Sequence, residues 1–342
     1  MASTPSPLPR SSRAAQTGSG VGGWLDHPLS RRRCGRLLAA TAGASSIAAF
    51  GHTTAAVSDA PVANLRDYPA LRIVVTDTAI DLSAEIEAGR YLVTNEDQAT
   101  LGESATNIIL LEEGQSVEEL VAQPNNPATG MPDWFTGTIV GTPIAPAGTT
   151  AQGVVDLAPG QYAVWGQDFQ APVMLTVLPS DGTPLHEPVV EATIAVGGDV
   201  LTGVPKRIGS SAHLWRVTAT GDVPHRFQLY GYPEPITLDG VIAGVTASDE
   251  TPLPDGALDL TRVVELGGFG AQSAGQTGWP MIDLEPSTYI AMCSIQEGEA
   301  GTLHGLLGEI AVFTVDPGPS AEARVERMAG RGRAAGLAGL AP

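Results

Sequence analysis

The pattern that most constrains this chain is a motif that occurs twice, 127 residues apart. Asp156-Leu157-Ala158-Pro159-Gly160-Gln161-Tyr162-Ala163-Val164-Trp165 returns as Asp283-Leu284-Glu285-Pro286-Ser287-Thr288-Tyr289-Ile290-Ala291-Met292, and each copy leads into a second apolar run, at 172–177 and 310–315. Alternation at period two marks half-buried strands, and the Pro, Gly and Asp between runs mark turns. The front halves correspond more loosely, Arg90-Tyr91-Leu92-Val93-Thr94-Asn95 with Leu214-Trp215-Arg216-Val217-Thr218-Ala219. Each is followed by a polar turn, a short apolar strand and an acidic amphipathic segment (Ser116-Val117-Glu118-Glu119-Leu120; Thr237-Leu238-Asp239-Gly240-Val241) whose spacing predicts a short surface helix. Short strands rich in Val, Ile, Thr, Tyr and Trp, with 41 Gly and 27 Pro, supply turns in plenty and leave little room for long helices. The expected fold is all-β, with two tandem antiparallel β-sandwiches at 66–180 and 189–316 and a linker at 181–188. Residues 317–342 read as a disordered Ala/Gly/Arg-rich tail.

Charge narrows the function classes. Between positions 59 and 318 only 8 Lys and Arg stand against 34 Asp and Glu. So acidic a body argues against nucleic acid and anionic membranes as partners. Most other arginines lie in the terminal segments. Ser30-Arg31-Arg32-Arg33 precedes Leu37-Leu38-Ala39-Ala40, a weakly hydrophobic stretch reaches Phe50, and Thr54-Ala55-Ala56 offers a cleavage site. Residues 1–58 therefore read as an export leader. Its adjacent arginines resemble a twin-arginine (Tat) signal, which implies a periplasmic or secreted protein exported already folded. An ordinary secretory signal or an uncleaved anchor shares the pattern. No other stretch has the roughly 18 consecutive apolar residues of a membrane span, so none is expected in the mature chain.

Cys34 lies in the leader, which leaves Cys293 as the single cysteine of the body. A disulfide framework is excluded, and a lone thiol in an oxidising compartment calls for burial or ligation. Cys293 ends the strand-like run Thr288-Tyr289-Ile290-Ala291-Met292. His304 follows in the next loop, Gly308-Glu309 opens the final strand, and His225 begins another run, Val223-Pro224-His225-Arg226-Phe227-Gln228-Leu229. One thiolate and two imidazoles form the ligand set of a mononuclear blue-copper site. His186, in the linker, and His213 read as structural, and His27 and His52 belong to the leader. Gly268-Phe269-Gly270-Ala271-Gln272-Ser273 has the look of a phosphate loop, but no helix pattern follows it. No Gly-x-Ser-x-Gly elbow or His-Glu-x-x-His pair occurs. Tyr162, Trp165, Trp215 and Tyr289 read as core.

In Val217-Thr218, Asp222-Val223-Pro224-His225, Pro286-x-x-Tyr289-x-x-x-Cys293, His304-x-x-x-Gly308 and Phe313-Thr314-Val315, the second half resembles a cupredoxin, the family of plastocyanin and azurin. The resemblance covers the first half in architecture only. It implies Greek-key sandwiches, one copper held by His225, Cys293 and His304, and outer-sphere electron transfer to a redox partner protein, so an electron carrier rather than an enzyme. A multicopper enzyme would need more histidine clusters than six histidines supply. Two features depart from the family pattern. Ten residues separate Cys293 from His304, and Glu309 stands where an axial methionine is expected. A carboxylate there stabilises Cu(II) and makes the set acceptable to Zn(II), or it points to solvent and leaves three ligands. The first half has no Cys or His between positions 59 and 180, with Gly166 matching Cys293 and Thr106 near His225. Two other classes fit the same pattern: a metal-free extracytoplasmic binding or structural module, and a Zn- or Cu-holding domain without redox role.

Overall fold

The computed structural model describes residues 62–100, 103–104, 106–118, 138–166, 171–182, 186–247, 252–297 and 302–318. The leader, the tail beyond 318 and the loop at 167–170 lie outside them. Strands dominate. The first half supplies β1 (Ala70–Val75), β2 (Ile80–Asp81), β3 (Glu85–Glu87), β4 (Gly89–Asp97), β5 (Glu103–Ser104), β6 (Thr106–Leu110), β7 (Thr138–Ile139), β8 (Pro143–Pro146), β9 (Thr150–Leu157), β10 (Gly160–Gly166) and β11 (Val173–Leu178). The second supplies β12 (Ala192–Val196), β13 (Leu201–Thr202), β14 (Arg207–Gly209), β15 (Ser211–Ala219), β16 (His225–Tyr232), helix α1 (Leu238–Thr246), β17 (Val264–Gln272), β18 (Thr277–Leu284), β19 (Ser287–Met292), β20 (Gln296–Glu297), β21 (Thr302–Leu303), helix α2 (His304–Leu307) and β22 (Ile310–Asp316). No helix among the described residues is long and apolar enough to cross a membrane.

The strands form layered sheets, two of which run through both halves. One sheet has the order β13-β12-β15-β18-β9-β4-β1-β2, a second β14-β22-β19-β16-β17-β8-β5, and a third β3-β11-β10-β6-β7. β18 pairs with β9 from Gly278↔Val155 to Met281↔Gln152, and β17 pairs with β8. A single apolar core collects residues from all three sheets. Trp215 of β15 is fully buried and bridges the layers, its ring 6.0 Å from Phe227 and 5.7 Å from Phe313. Tyr289 stacks on Phe313 at 5.3 Å.

The Pro-x-x-Tyr motif has a physical role in both halves. Tyr162 donates its hydroxyl to the Ala158 carbonyl at 2.8 Å, and Tyr289 donates to Glu285 at 2.7 Å. Each bond pins the turn four residues upstream to the ring of its own strand. Burial pushes both phenols up to about 12, so the donors keep their protons at ordinary pH.

One expectation changes in detail and another is met. The front strands correspond with a different register: Tyr91 faces Val155 and His213 faces Ile282, partners 127 residues apart, so Tyr91 matches His213 rather than Trp215. A shift of two leaves the buried face unchanged, which is why hydrophobic alternation does not detect it. The amphipathic segment at 237–241 does open a helix, α1. Thr237 caps it by accepting from the Gly240 N–H at 3.1 Å, and Val241 and Val245 pack against Tyr230, Tyr232 and Met292. The corresponding segment at 116–120 continues into residues outside the described ones.

Trp215→Ala is expected to cost about 3–5 kcal/mol of stability, and Tyr289→Phe about 1 kcal/mol through one lost hydrogen bond. Urea unfolding of the two variants beside the parent checks both values and their order.

Candidate metal centre

β19 is flanked by β16, with Gln228↔Met292, and by β22, with Met292↔Ile310. These two ladders bring the first residue of β16 (His225), the residue after β19 (Cys293) and the residue before β22 (Glu309) to one end of the sheet. The Cys293 N–H donates to the Glu309 carbonyl at 3.0 Å. Alternation along β19 sends Ala291 and Cys293 into the core between sheets, and Ile290 and Met292 to the face that packs on α1.

His304 arrives on a one-turn helix where a loop is expected from sequence. The helix is held from outside: the His304 N–H donates to Ile295 at 2.9 Å and the Gly305 N–H to Cys293 at 3.0 Å. Gly308, at φ 134°, turns the chain at its end, and the Glu309 N–H donates back to the His304 carbonyl at 3.1 Å. That reversal directs Glu309 inward. Of the two orientations open to this carboxylate, the structure has the buried one, at 1% exposure.

All four predicted side chains converge. His225, Cys293, His304 and Glu309 are buried, and one donor atom from each lies within 4.8 Å of every other. The two Nδ1 atoms are 3.2 Å apart, and Cys293 Sγ is 3.6 Å from His304 Nδ1. Glu309 Oε2 lies 2.9 Å from His225 Nδ1 and 3.6 Å from His304 Nδ1. Around one tetrahedral ion with ordinary metal–nitrogen and metal–sulfur bonds, N···N edges are about 3.3 Å and N···S edges about 3.6 Å. The Nδ1···Nδ1 and Sγ···His304 Nδ1 spacings match those edges. No other such cluster occurs among the described residues. His213 is engaged by the Glu191 carboxylate and the Gly209 carbonyl, and the His186 carbonyl accepts from Tyr68.

Electrostatics fit the same use. Burial pushes the Cys293 thiol well above its ordinary range. The Arg226 N–H, 3.3 Å from Sγ, opposes that shift, and the Glu309 charge adds to it. Burial alone would also raise Glu309, but hydrogen bonds and positive charge from His225 and His304 outweigh it and hold the carboxyl at about 2. The carboxylate is therefore ionised at neutral pH, and the thiol needs a cation before it gives up its proton.

Sequence reasoning misses two contributors, Gly197 and Gly221. His225 Nε2 is buried without a hydrogen-bond partner among the described residues and lies against these two glycines. A Cβ there would stand 2.8 Å and 3.3 Å from the nitrogen respectively. Gly197 occurs in a turn far from His225's own strand run and Gly221 in the turn just before it, and nothing in the local pattern marks either glycine as a neighbour of the ligand ring. In the first half the corresponding strand end pairs Gly166 with Thr106. Thr106 Oγ1 lies 2.8 Å from Thr142 Oγ1 and accepts from Asn95 at 3.3 Å, a neutral cluster in place of ligands.

No family model and no curated protein matches the chain. Among solved structures, it aligns with a multi-copper oxidase from Pediococcus acidilactici at 8% identity and TM-score 0.22, covering 73% of this chain and 59% of that one. A McoA multicopper oxidase variant from Aquifex aeolicus aligns at 11% identity and TM-score 0.24, over 76% of this chain and 70% of that one. Auracyanin from Roseiflexus castenholzii aligns at 16% identity and TM-score 0.23, over 36% of this chain and 95% of that one. Likeness at this level carries no argument. The weight falls on the four side chains.

Because the Cys293 thiol is protonated without a cation, metal entry should expel its proton. Calorimetric Zn(II) titration in buffers of different ionisation enthalpy is expected to show proton release that shrinks in Cys293→Ser.

Proposed function

We propose that His225, Cys293, His304 and Glu309 hold one copper ion and that the protein is an exported, cupredoxin-like electron carrier. In this reading the sandwiches at 66–180 and 189–316 are tandem copies, and only the second keeps the site. The observation that carries it is the convergence of a thiol sulfur, two Nδ1 atoms and a carboxylate at one buried strand end. Bound copper would supply a one-electron couple. The residues supply the rest: the β16, β19 and β22 ladders fix the donor atoms, which limits rearrangement between oxidation states, and burial keeps water from the centre. Export by the Tat route agrees with the paired arginines and with a lone cysteine that is buried. The exchange partner is a redox protein, and the acidic body selects a basic one.

Glu309 supports a second reading. Thiolate and carboxylate together carry two negative charges, which a divalent ion neutralises and a monovalent ion does not. Four strong donors near tetrahedral spacing therefore suit Zn(II) as well as Cu(II). They also set the direction of any copper potential, because reduction leaves a net negative charge buried.

Cu(II) added to the full chain is expected to produce an intense visible thiolate-to-copper band that is absent in Cys293→Ser. Glu309→Gln should raise the reduction potential, since it removes the buried negative charge. A colourless copper complex, together with a melting temperature raised by Zn(II), would decide for the zinc reading.

A further inference from the structure

The hairpin turn from Gly197 to Val200 joins β12 to β13 and lies across the centre without contributing a ligand. Gly197 N–H donates to the Val200 carbonyl at 3.2 Å, and Asp199 within the turn has φ 60°. One foot of the turn rests behind His225: a Cβ on Gly197 would meet Thr220 O at 1.9 Å and His225 Nε2 at 2.8 Å, and one on Gly221 would meet Gly198 N at 3.1 Å. The other foot rests on Gly308, between the His304 helix and Glu309, where a Cβ would meet Asp199 O at 2.2 Å. Contacts this close are possible only between backbones without side chains.

The elements around the centre differ in how firmly they are held. β16, β19 and β22 are each paired on both sides within their sheet. β13 is a two-residue edge strand that pairs only with β12, through Ala195↔Thr202 and Val196↔Leu201. Two hairpins beside the ligands are held by only two residue pairs, this one and β20–β21, and of the two only this one presses its backbone against both His225 and Gly308.

We propose that the turn from Gly197 to Val200 is a lock on the metal: an ion enters or leaves when this edge hairpin lifts, and Gly197, Gly221 and Gly308 are positioning residues that let it seat. The proposal rests on the metal reading above and adds the route and the rate-setting element. A substitution inside the turn itself, at Gly198 or Asp199, holds it off its seat while leaving the strands that carry all four donors in place. The affinity of the donor set is then retained in kind, and the release rate changes.

The test uses the full chain loaded with Co(II), whose thiolate absorption reports occupancy, and follows its loss to excess EDTA. Gly198→Val and Asp199→Pro, which strain the turn at φ 65° and 60° without placing an atom against a ligand, are expected to bind the same amount of Co(II) as the parent and to release it about tenfold faster or more, the scale of a strained backbone residue in the closed state. Gly244→Ala is the matched control: its Cβ meets Leu258 O at 2.2 Å in α1, on the other face of the sheet. It should release at the parent rate. If Asp199→Pro does not fold, Gly198→Val, whose Cβ meets nothing within 4 Å, carries the test with the same expectation. Parent-like release from the turn variants would overturn the lock, as would equal acceleration in Gly244→Ala. Failure of the parent to bind Co(II), Zn(II) or Cu(II) would overturn the metal reading and the lock with it, and that result appears before any rate is compared.

Discussion

The whole site depends on the double pairing of β19. Its ladders to β16 and β22 set three strand ends flush, and that alignment lets residues 84 positions apart in sequence, His225 and Glu309, hydrogen-bond inside the core. Because side chains alternate, a one-residue slip would send Cys293 to the face that carries Met292 and separate it from both histidines. The Tyr289 ring on Phe313 and its hydroxyl on the Glu285 carbonyl fix the other end of the same strand. The register is thus held by apolar contacts at one end and serves polar chemistry at the other.

Much of this was legible in the sequence. The two Pro-x-x-Tyr motifs announced paired strands, and the order His225, Cys293, His304, Glu309 named every side chain that the structure gathers. Other features were not legible, for physical reasons. Alternation is blind to a shift of two, so it fits Tyr91 to Trp215 as well as to His213, its counterpart in the fold. Pairing of β9 with β18 and β8 with β17 is non-local and leaves no mark in either strand alone. Gly197 and Gly221 look like ordinary turn residues until His225 Nε2 is placed against them. Glu309 was identified as a residue, but its inward direction depends on the positive φ of Gly308 and the one-turn helix before it.

The centre also shows how one buried set of polar atoms constrains its surroundings. Burial keeps the Cys293 thiol protonated and neutral, while hydrogen bonds with His225 and His304 keep the Glu309 carboxylate ionised. The first half places no ionised group there: Asn95, Thr106 and Thr142 are neutral and hydrogen-bond to one another. Similar strands therefore hold two different solutions to burying polarity, one built from neutral groups and one built around an ionised carboxylate, two imidazoles and a thiol.

The continuity of the sheets across the two halves gives the half without ligands a task of its own. β9 and β8 occupy the hydrogen-bonding flanks of β18 and β17, which would otherwise be open sheet edges. An uncovered, largely apolar edge is a template for adding strands from other molecules. The first half thus acts as a built-in bumper against self-association, and excising the second half to isolate its centre would expose a surface prone to sticking.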